Sequence, residues 1–180
     1  VSHIKSENRA TLLYFKPAAG LRILRSKILG KEKFDAAFKT YIQRWAYKHP
    51  TPEDFFRTME NVSGEDLSWF WRSWFLNNWQ LDQGIKEVQI IRNDTALDIR
   101  VTIVNLEKAV MPVELELKYS TGKKERFKLP VEIWESHESF TIQLSCTSEP
   151  ESVTLDPDKA LPDINPGNNI WFAGSAVNTP

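Results

Sequence analysis

Only one cysteine stands in this chain of 180 residues, so it can form no disulfide within itself. The three histidines, His3, His49 and His137, are scattered, and no His-Glu-x-x-His sets two of them on one helical face. No Cys/His ligand cluster is recognisable, and no metal or other cofactor is expected to be held by these residues alone. Glycine is scarce, at seven residues, with neither a Gly-rich phosphate loop nor a Gly-x-Ser-x-Gly elbow among them. No apolar run approaches the roughly 18 residues of a membrane-spanning helix, so no span is expected. An excess of positive charge is also missing. The net charge of −1 argues against nucleic acid as a partner through bulk electrostatics.

What is present falls into two halves. Residues 1–80 carry 13 Lys and Arg against 8 Asp and Glu, whereas residues 81–180 carry 10 against 16. The first half has helical periodicity. Leu21, Leu24 and Ile28 recur on one face, with Gly30 as a stop. Phe34, Ala37, Phe38, Tyr41, Ile42 and Trp45 form a second apolar stripe, ended by His49-Pro50. Thr51-Pro52-Glu53-Asp54 is a strong helix start, with Thr51 as cap, Pro52 at the first helical position and Asp54 able to return to the cap. Ser63-Gly64-Glu65-Asp66 closes that helix and caps the next, which bears Leu67, Phe70, Trp71 and Trp74. Five of the seven tryptophans lie between residues 45 and 79, at helical spacing. An aromatic core between packed helices explains them better than a ligand-binding wall.

From residue 84 the apolar residues alternate instead. Leu97, Ile99, Val101 and Ile103 do so, then Val113, Leu115, Leu117 and Tyr119, with shorter runs at Phe127, Phe140 and Val153. Asn93-Asp94, Thr121-Gly122-Lys123 and Asp156-Pro157-Asp158 are turn signals. Pro130 belongs at a strand break or edge. The expected fold class is α+β: a helical module of about four helices over 1–80, then an antiparallel immunoglobulin-like β-sandwich over 84–172. Ile170-Trp171-Phe172 is a candidate hydrophobic anchor, and 173–180 is expected to be a loose tail.

Several residues invite functional readings that their context does not sustain. Cys146 lies in the strand-like run from Phe140, with no His or Asn partner to activate it, and is expected to be a half-buried structural thiol. Asp156, Asp158, Asp163 and Asn165 could suggest calcium, but they lack the glycine and terminal glutamate of an EF-hand, and turn chemistry accounts for them.

Tyr14-Phe15-Lys16-Pro17, leading through Ala18-Ala19-Gly20-Leu21 to Leu29-Gly30, carries the sharpest functional signal. With His49-Pro50-Thr51-Pro52-Glu53-Asp54-Phe55-Phe56 and Trp69-Phe70-Trp71-Arg72-Ser73-Trp74-Phe75, it resembles the segment that follows the zinc site in M1-family gluzincin metallopeptidases. The likeness covers roughly residues 10–80 and is nearest to a bacterial subgroup with a β-sandwich after the catalytic helices. It implies that the chain is the C-terminal region of an M1-type zinc aminopeptidase without the zinc-binding motif. The helical module would complete the catalytic domain, the upstream domain of the same polypeptide would be its partner, and a peptide would be the substrate. Zinc would belong to the parent enzyme. Tyr14 would match the family tyrosine that stabilises the oxyanion of the tetrahedral intermediate, a task that suits a neutral phenol donor. Alone, the chain would be inactive. Met59-Glu60-Asn61 imitates the family's Gly-x-Met-Glu-Asn strand, but Arg57-Thr58 precedes it, its setting is helical, and it follows Tyr14; Glu60 is expected to be a solvated helix residue. The competing reading, from a different class, is a non-catalytic module, helical plus immunoglobulin-like, that binds a protein or carbohydrate. An exposed aromatic patch rimmed by polar groups would favour it.

Overall fold

Pro17 shapes the first helix. The computed structural model describes residues 10–92, 97–135 and 137–174. Within them the chain winds through a π turn, Thr11–Phe15, into α1 (Lys16–Ile23) and a second π turn, Leu24–Ile28. Proline lacks an N–H, and its ring crowds the carbonyl four residues back. The Lys16 N–H bonds to the Thr11 carbonyl, one residue wider than an α-helix, which relieves that crowding. Helical structure therefore begins before Lys16. Tyr14 lies inside this first helix.

The chain divides into two compact units, Val1–Asn78 and Trp79–Pro180. In the first, Gly30 takes a left-handed φ of 78° and starts α2 (Lys31–Trp45). Helix α3 (Pro52–Ser63) begins as its sequence dictates: Thr51 donates its N–H to Asp54 Oδ2 at 2.9 Å and its hydroxyl to the same oxygen at 3.0 Å. Gly64, at φ 72°, ends it. A short α4 (Ser68–Trp71), capped by Asp66 Oδ1 accepting the Ser68 N–H at 2.8 Å, runs into a π turn at Arg72–Leu76. Ile23, Leu24, Leu29, Phe34, Ala37, Phe56, Met59, Leu67, Phe70 and Trp71 are buried. Aromatic contacts join the helices. Tyr41 meets Phe55 edge-on at 5.0 Å, and Phe56 stacks on Trp71 at 4.5 Å, each pair contributing about 0.5–1.5 kcal/mol beyond area burial. The α2 stripe is only partly covered, since Phe38 and Ile42 remain 36% and 50% exposed.

The second unit has two antiparallel sheets. Strands β1 (Gln83–Arg92), β2 (Leu97–Asn105) and β5 (Ser139–Cys146) form one, in the order β1-β2-β5. Strands β3 (Val113–Tyr119), β4 (Lys124–Leu129), β6 (Pro150–Leu155) and β7 (Ile170–Phe172) form the other, in the order β4-β3-β6-β7. Ile99, Val101 and Ile103 of the first sheet share one core with Val113, Leu115, Leu117, Tyr119, Val153, Leu155 and Trp171 of the second. Alternation thus put the apolar faces where the structure buries them. Helices together with antiparallel sheets make the chain α+β.

Particular elements extend or qualify the reading from sequence. Val131–Trp134 is a 3₁₀ turn after Pro130, with the Trp134 indole donating to the Met111 carbonyl at 2.9 Å. Glu116 alternates outward yet is 6% exposed, because Lys124 and Arg126 fold over it at 2.8 Å each. Gly122, at φ 83°, turns β3 into β4. Ala173 still donates to the Glu151 carbonyl at 2.9 Å. The expected Asn93-Asp94 turn and residues 175–180 of the expected tail lie outside the described residues.

Candidate functional site

Tyr14 projects from the first helical turn, 72% exposed, between Leu13 at 42% and Phe15 at 68%. Three large side chains in a row are left open there, whereas Phe34, Phe56, Phe70 and Trp71 of the same unit are buried. The phenol has no hydrogen-bond partner among the described residues.

The backbone beneath it is fixed from across the unit. The Trp74 indole donates to the Lys16 carbonyl at 2.9 Å, and the Lys16 ammonium reaches the Asn77 carbonyl at 3.4 Å. Gly20 makes the first contact possible, since a Cβ there would overlap the Trp74 ring. Phe70 stacks on Trp74 at 6.2 Å with 13° between the planes, and Phe70 itself is fully buried. Helix position, indole and buried core therefore form one continuous support for the turn that carries Tyr14.

Sequence reasoning named Tyr14 and Lys16 but not this support. A glycine inside a helical pattern is the available signal, because it marks a close approach. By helical spacing alone, Trp74 belongs only to the general aromatic core.

Glu60 corrects another expectation. It is half-buried, not solvated: Oε1 accepts the Trp71 indole N–H at 3.0 Å and the Leu67 N–H at 3.2 Å. It ties α3 to the start of α4, and that structural duty explains the carboxylate within Met59-Glu60-Asn61. Arg25 and Asp35 form a two-point pair, at 2.7 and 2.9 Å, that joins the first helix to α2. The Arg25 hydrogen bonds hold the Asp35 carboxyl below the usual range.

No group of three or more His, Cys, Asp or Glu side chains gathers to hold a metal among the described residues. His49 follows α2 in the first unit, and His137 precedes β5 in the second. His3 lies outside the described residues. Asp156, Asp158, Asp163 and Asn165 do not converge as ligands. Asp156 accepts the Ala160 and Leu161 N–H groups at 3.1 and 2.8 Å, Asp158 pairs with Arg126, and Asp163 accepts the Asn165 N–H. Cys146 is half-buried, and desolvation pushes its thiol above the ordinary value. No helix among the described residues is long and apolar enough to cross a membrane.

Comparison with known proteins bears on the same stretch. Residues 6–74 match the family model described as Peptidase family M1 domain. Aminopeptidase M1-D of rice, Oryza sativa subsp. japonica, is 36% identical over 64 residues, 36% of this chain and 7% of that protein. Aminopeptidase M1-A of the same plant is 32% identical over 89 residues, 49% of this chain and 10% of that protein. The chain thus spans a tenth or less of these relatives. Among solved structures, aminopeptidase A of Legionella pneumophila, crystallised with aspartic acid, aligns with a TM-score of 0.62 and 21% identity. That alignment covers 83% of this chain and 17% of the other, and shows a shared fold.

Proposed function

Residues 6–74 carry part of an M1-family peptidase domain, and we propose that the chain is the C-terminal region of an aminopeptidase whose upstream domain supplies the zinc, its ligands and the general base. The observation that carries this reading is Tyr14, 72% exposed on a turn braced from below, while Phe70 and Trp71 are buried in the core. That arrangement suits a helical piece presenting one polar donor toward a site built mostly elsewhere. It suits an aromatic recognition wall less well, because the packed aromatics around Phe70 and Trp71 are interior.

The described residues offer no ligand set for zinc, so they do not fit the metal by themselves. In the parent enzyme, zinc would activate the attacking water and polarise the substrate carbonyl. What this chain would contribute is the Tyr14 hydroxyl. A phenol stays protonated at neutral pH and donates without bringing charge of its own. Placed at the oxyanion of the peptide's tetrahedral intermediate, it would stabilise developing negative charge. The Trp74 to Lys16 contact would hold that donor at one height on its helix.

For the second unit we propose an immunoglobulin-like sandwich. The order β1-β2-β5 in one sheet and β4-β3-β6-β7 in the other, sharing a single core, supports it.

The test compares the intact parent enzyme with the 180-residue chain. Aminoacyl-coumarylamide substrates should be hydrolysed by the parent and inhibited there by a chelator. The chain alone should hydrolyse none and keep well under one zinc after dialysis. Hydrolysis by the isolated chain, or a stoichiometric zinc that resists chelation, would overturn the proposal.

A further inference from the structure

At the start of β1 the second unit gathers more negative charge than its described residues neutralise. Asp82 is 9% exposed and Asp163 is half-buried. Neither has a lysine, arginine or histidine partner among the described residues. Asp82 Oδ1 accepts the Asn168 amide N–H at 2.7 Å. Asp163 Oδ2 accepts the Gln83 N–H at 3.0 Å and the Asn169 amide N–H at 3.3 Å, and its Oδ1 accepts the Asn165 N–H at 2.8 Å.

Both asparagines commit their nitrogens to carboxylates. The oxygen of each, Asn168 Oδ1 and Asn169 Oδ1, is left buried and without a partner among the described residues. The two ends of a carboxamide are one bond angle apart, so both oxygens stand beside the acids. Turning either amide over would set its oxygen against a carboxylate, which fixes the orientation. Gly84 leaves space for this packing, since a Cβ there would lie 2.8 Å from Asn168 Cγ. Asn169 is 8% exposed, so bulk water does not serve its oxygen.

The cluster therefore combines two carboxylates with two unmatched neutral oxygens. A buried water could serve the oxygens but would leave the charges uncompensated. One cation answers both. Donors that are all oxygen, part charged and part neutral, select a hard ion, and calcium tolerates such irregular sets where magnesium demands an octahedron. We propose that Asp82, Asp163, Asn168 and Asn169 bind a calcium ion that fastens the start of β1 to the Pro166–Asn169 turn. Amide oxygens, rather than a third carboxylate, complete the set.

The experiment uses the full 180-residue chain, dialysed against a chelator and titrated with calcium chloride by calorimetry and thermal melting. One calcium per chain is expected, with a dissociation constant in the range of about 10⁻⁵ to 10⁻³ M, and a melting midpoint raised by several degrees. Asp82→Asn and Asp163→Asn should each weaken binding at least tenfold, while Glu107→Gln, outside the cluster, leaves it unchanged. Absence of saturable binding at about 10 mM calcium would overturn the proposal. So would binding of undiminished strength in both aspartate variants. If Asp82→Asn does not fold, the wild-type titration and Asp163→Asn decide the question.

Discussion

The Trp74 indole N–H donates to the Lys16 carbonyl at 2.9 Å, with the ring lying where a side chain on residue 20 would go. Two residues far apart in sequence thereby fix the turn that presents Tyr14.

This relationship inverts an ordinary rule. Glycine to alanine inside a helix normally stabilises by about 1 kcal/mol. Gly20→Ala should instead destabilise by about 1–3 kcal/mol, because the new methyl overlaps the Trp74 ring and forces it off the Lys16 carbonyl. Urea unfolding of the chain measures the sign. A gain in stability would show that the ring yields freely and is no brace.

Glu60 provides a second check. Glu60→Ala strips the acceptor from the buried Trp71 indole and from the Leu67 N–H, and should cost about 1–3 kcal/mol. Glu60→Gln keeps an oxygen and should recover much of that loss. Equal stability of the two variants in denaturant melts would return Glu60 to the solvated role its sequence suggested.

Much of this architecture was legible, and the illegible parts share a cause. Thr51-Pro52-Glu53-Asp54 and Gly64 announce α3 because caps and stops are local chemistry. Leu97 to Ile103 and Val113 to Tyr119 announce their strands because a half-buried sheet forces alternation. Tyr14 could be singled out only through its motif. Its exposure, the Trp74 brace under it and the duty of Glu60 depend on contacts between distant residues, which no local pattern records. The burial of Glu116 is hidden for a related reason: its alternation points outward, and only the paired strand β4 shows the two cations that cover it. The two asparagines beside Asp82 and Asp163 carried no signal of their own.

Glu116 also sets a pH dependence. Hydrogen bonding to Lys124, then to Arg126, holds its carboxyl below the usual range against the opposing effect of burial. A lowered folded-state value means that the stabilisation is fully present above the unfolded glutamate value of about 4.3, and is lost as pH falls through the folded one. Glu116→Gln should cost about 1–2 kcal/mol at pH 7 and flatten the stability curve below about pH 4.5. Parallel curves for variant and wild type would contradict the pairing.

Burial raises the Cys146 thiol and, through desolvation and its hydrogen bonds, the neighbouring Tyr119 hydroxyl. Little thiolate is then present at pH 8. Ellman's reagent should modify Cys146 slowly in the folded chain and at least tenfold faster in guanidinium. Equal rates would mean an open, activated thiol.

The most direct test concerns Tyr14 itself. In the parent enzyme, Tyr14→Phe should lower kcat by about a hundredfold or more, since one oxyanion donor is worth on the order of 3 kcal/mol. Zinc content, KM and the unfolding midpoint should stay close to wild type, because the exposed hydroxyl holds nothing else in place. Steady-state kinetics on the full-length variant reads the result, and an unchanged kcat would remove Tyr14 from the mechanism and leave this region a structural support.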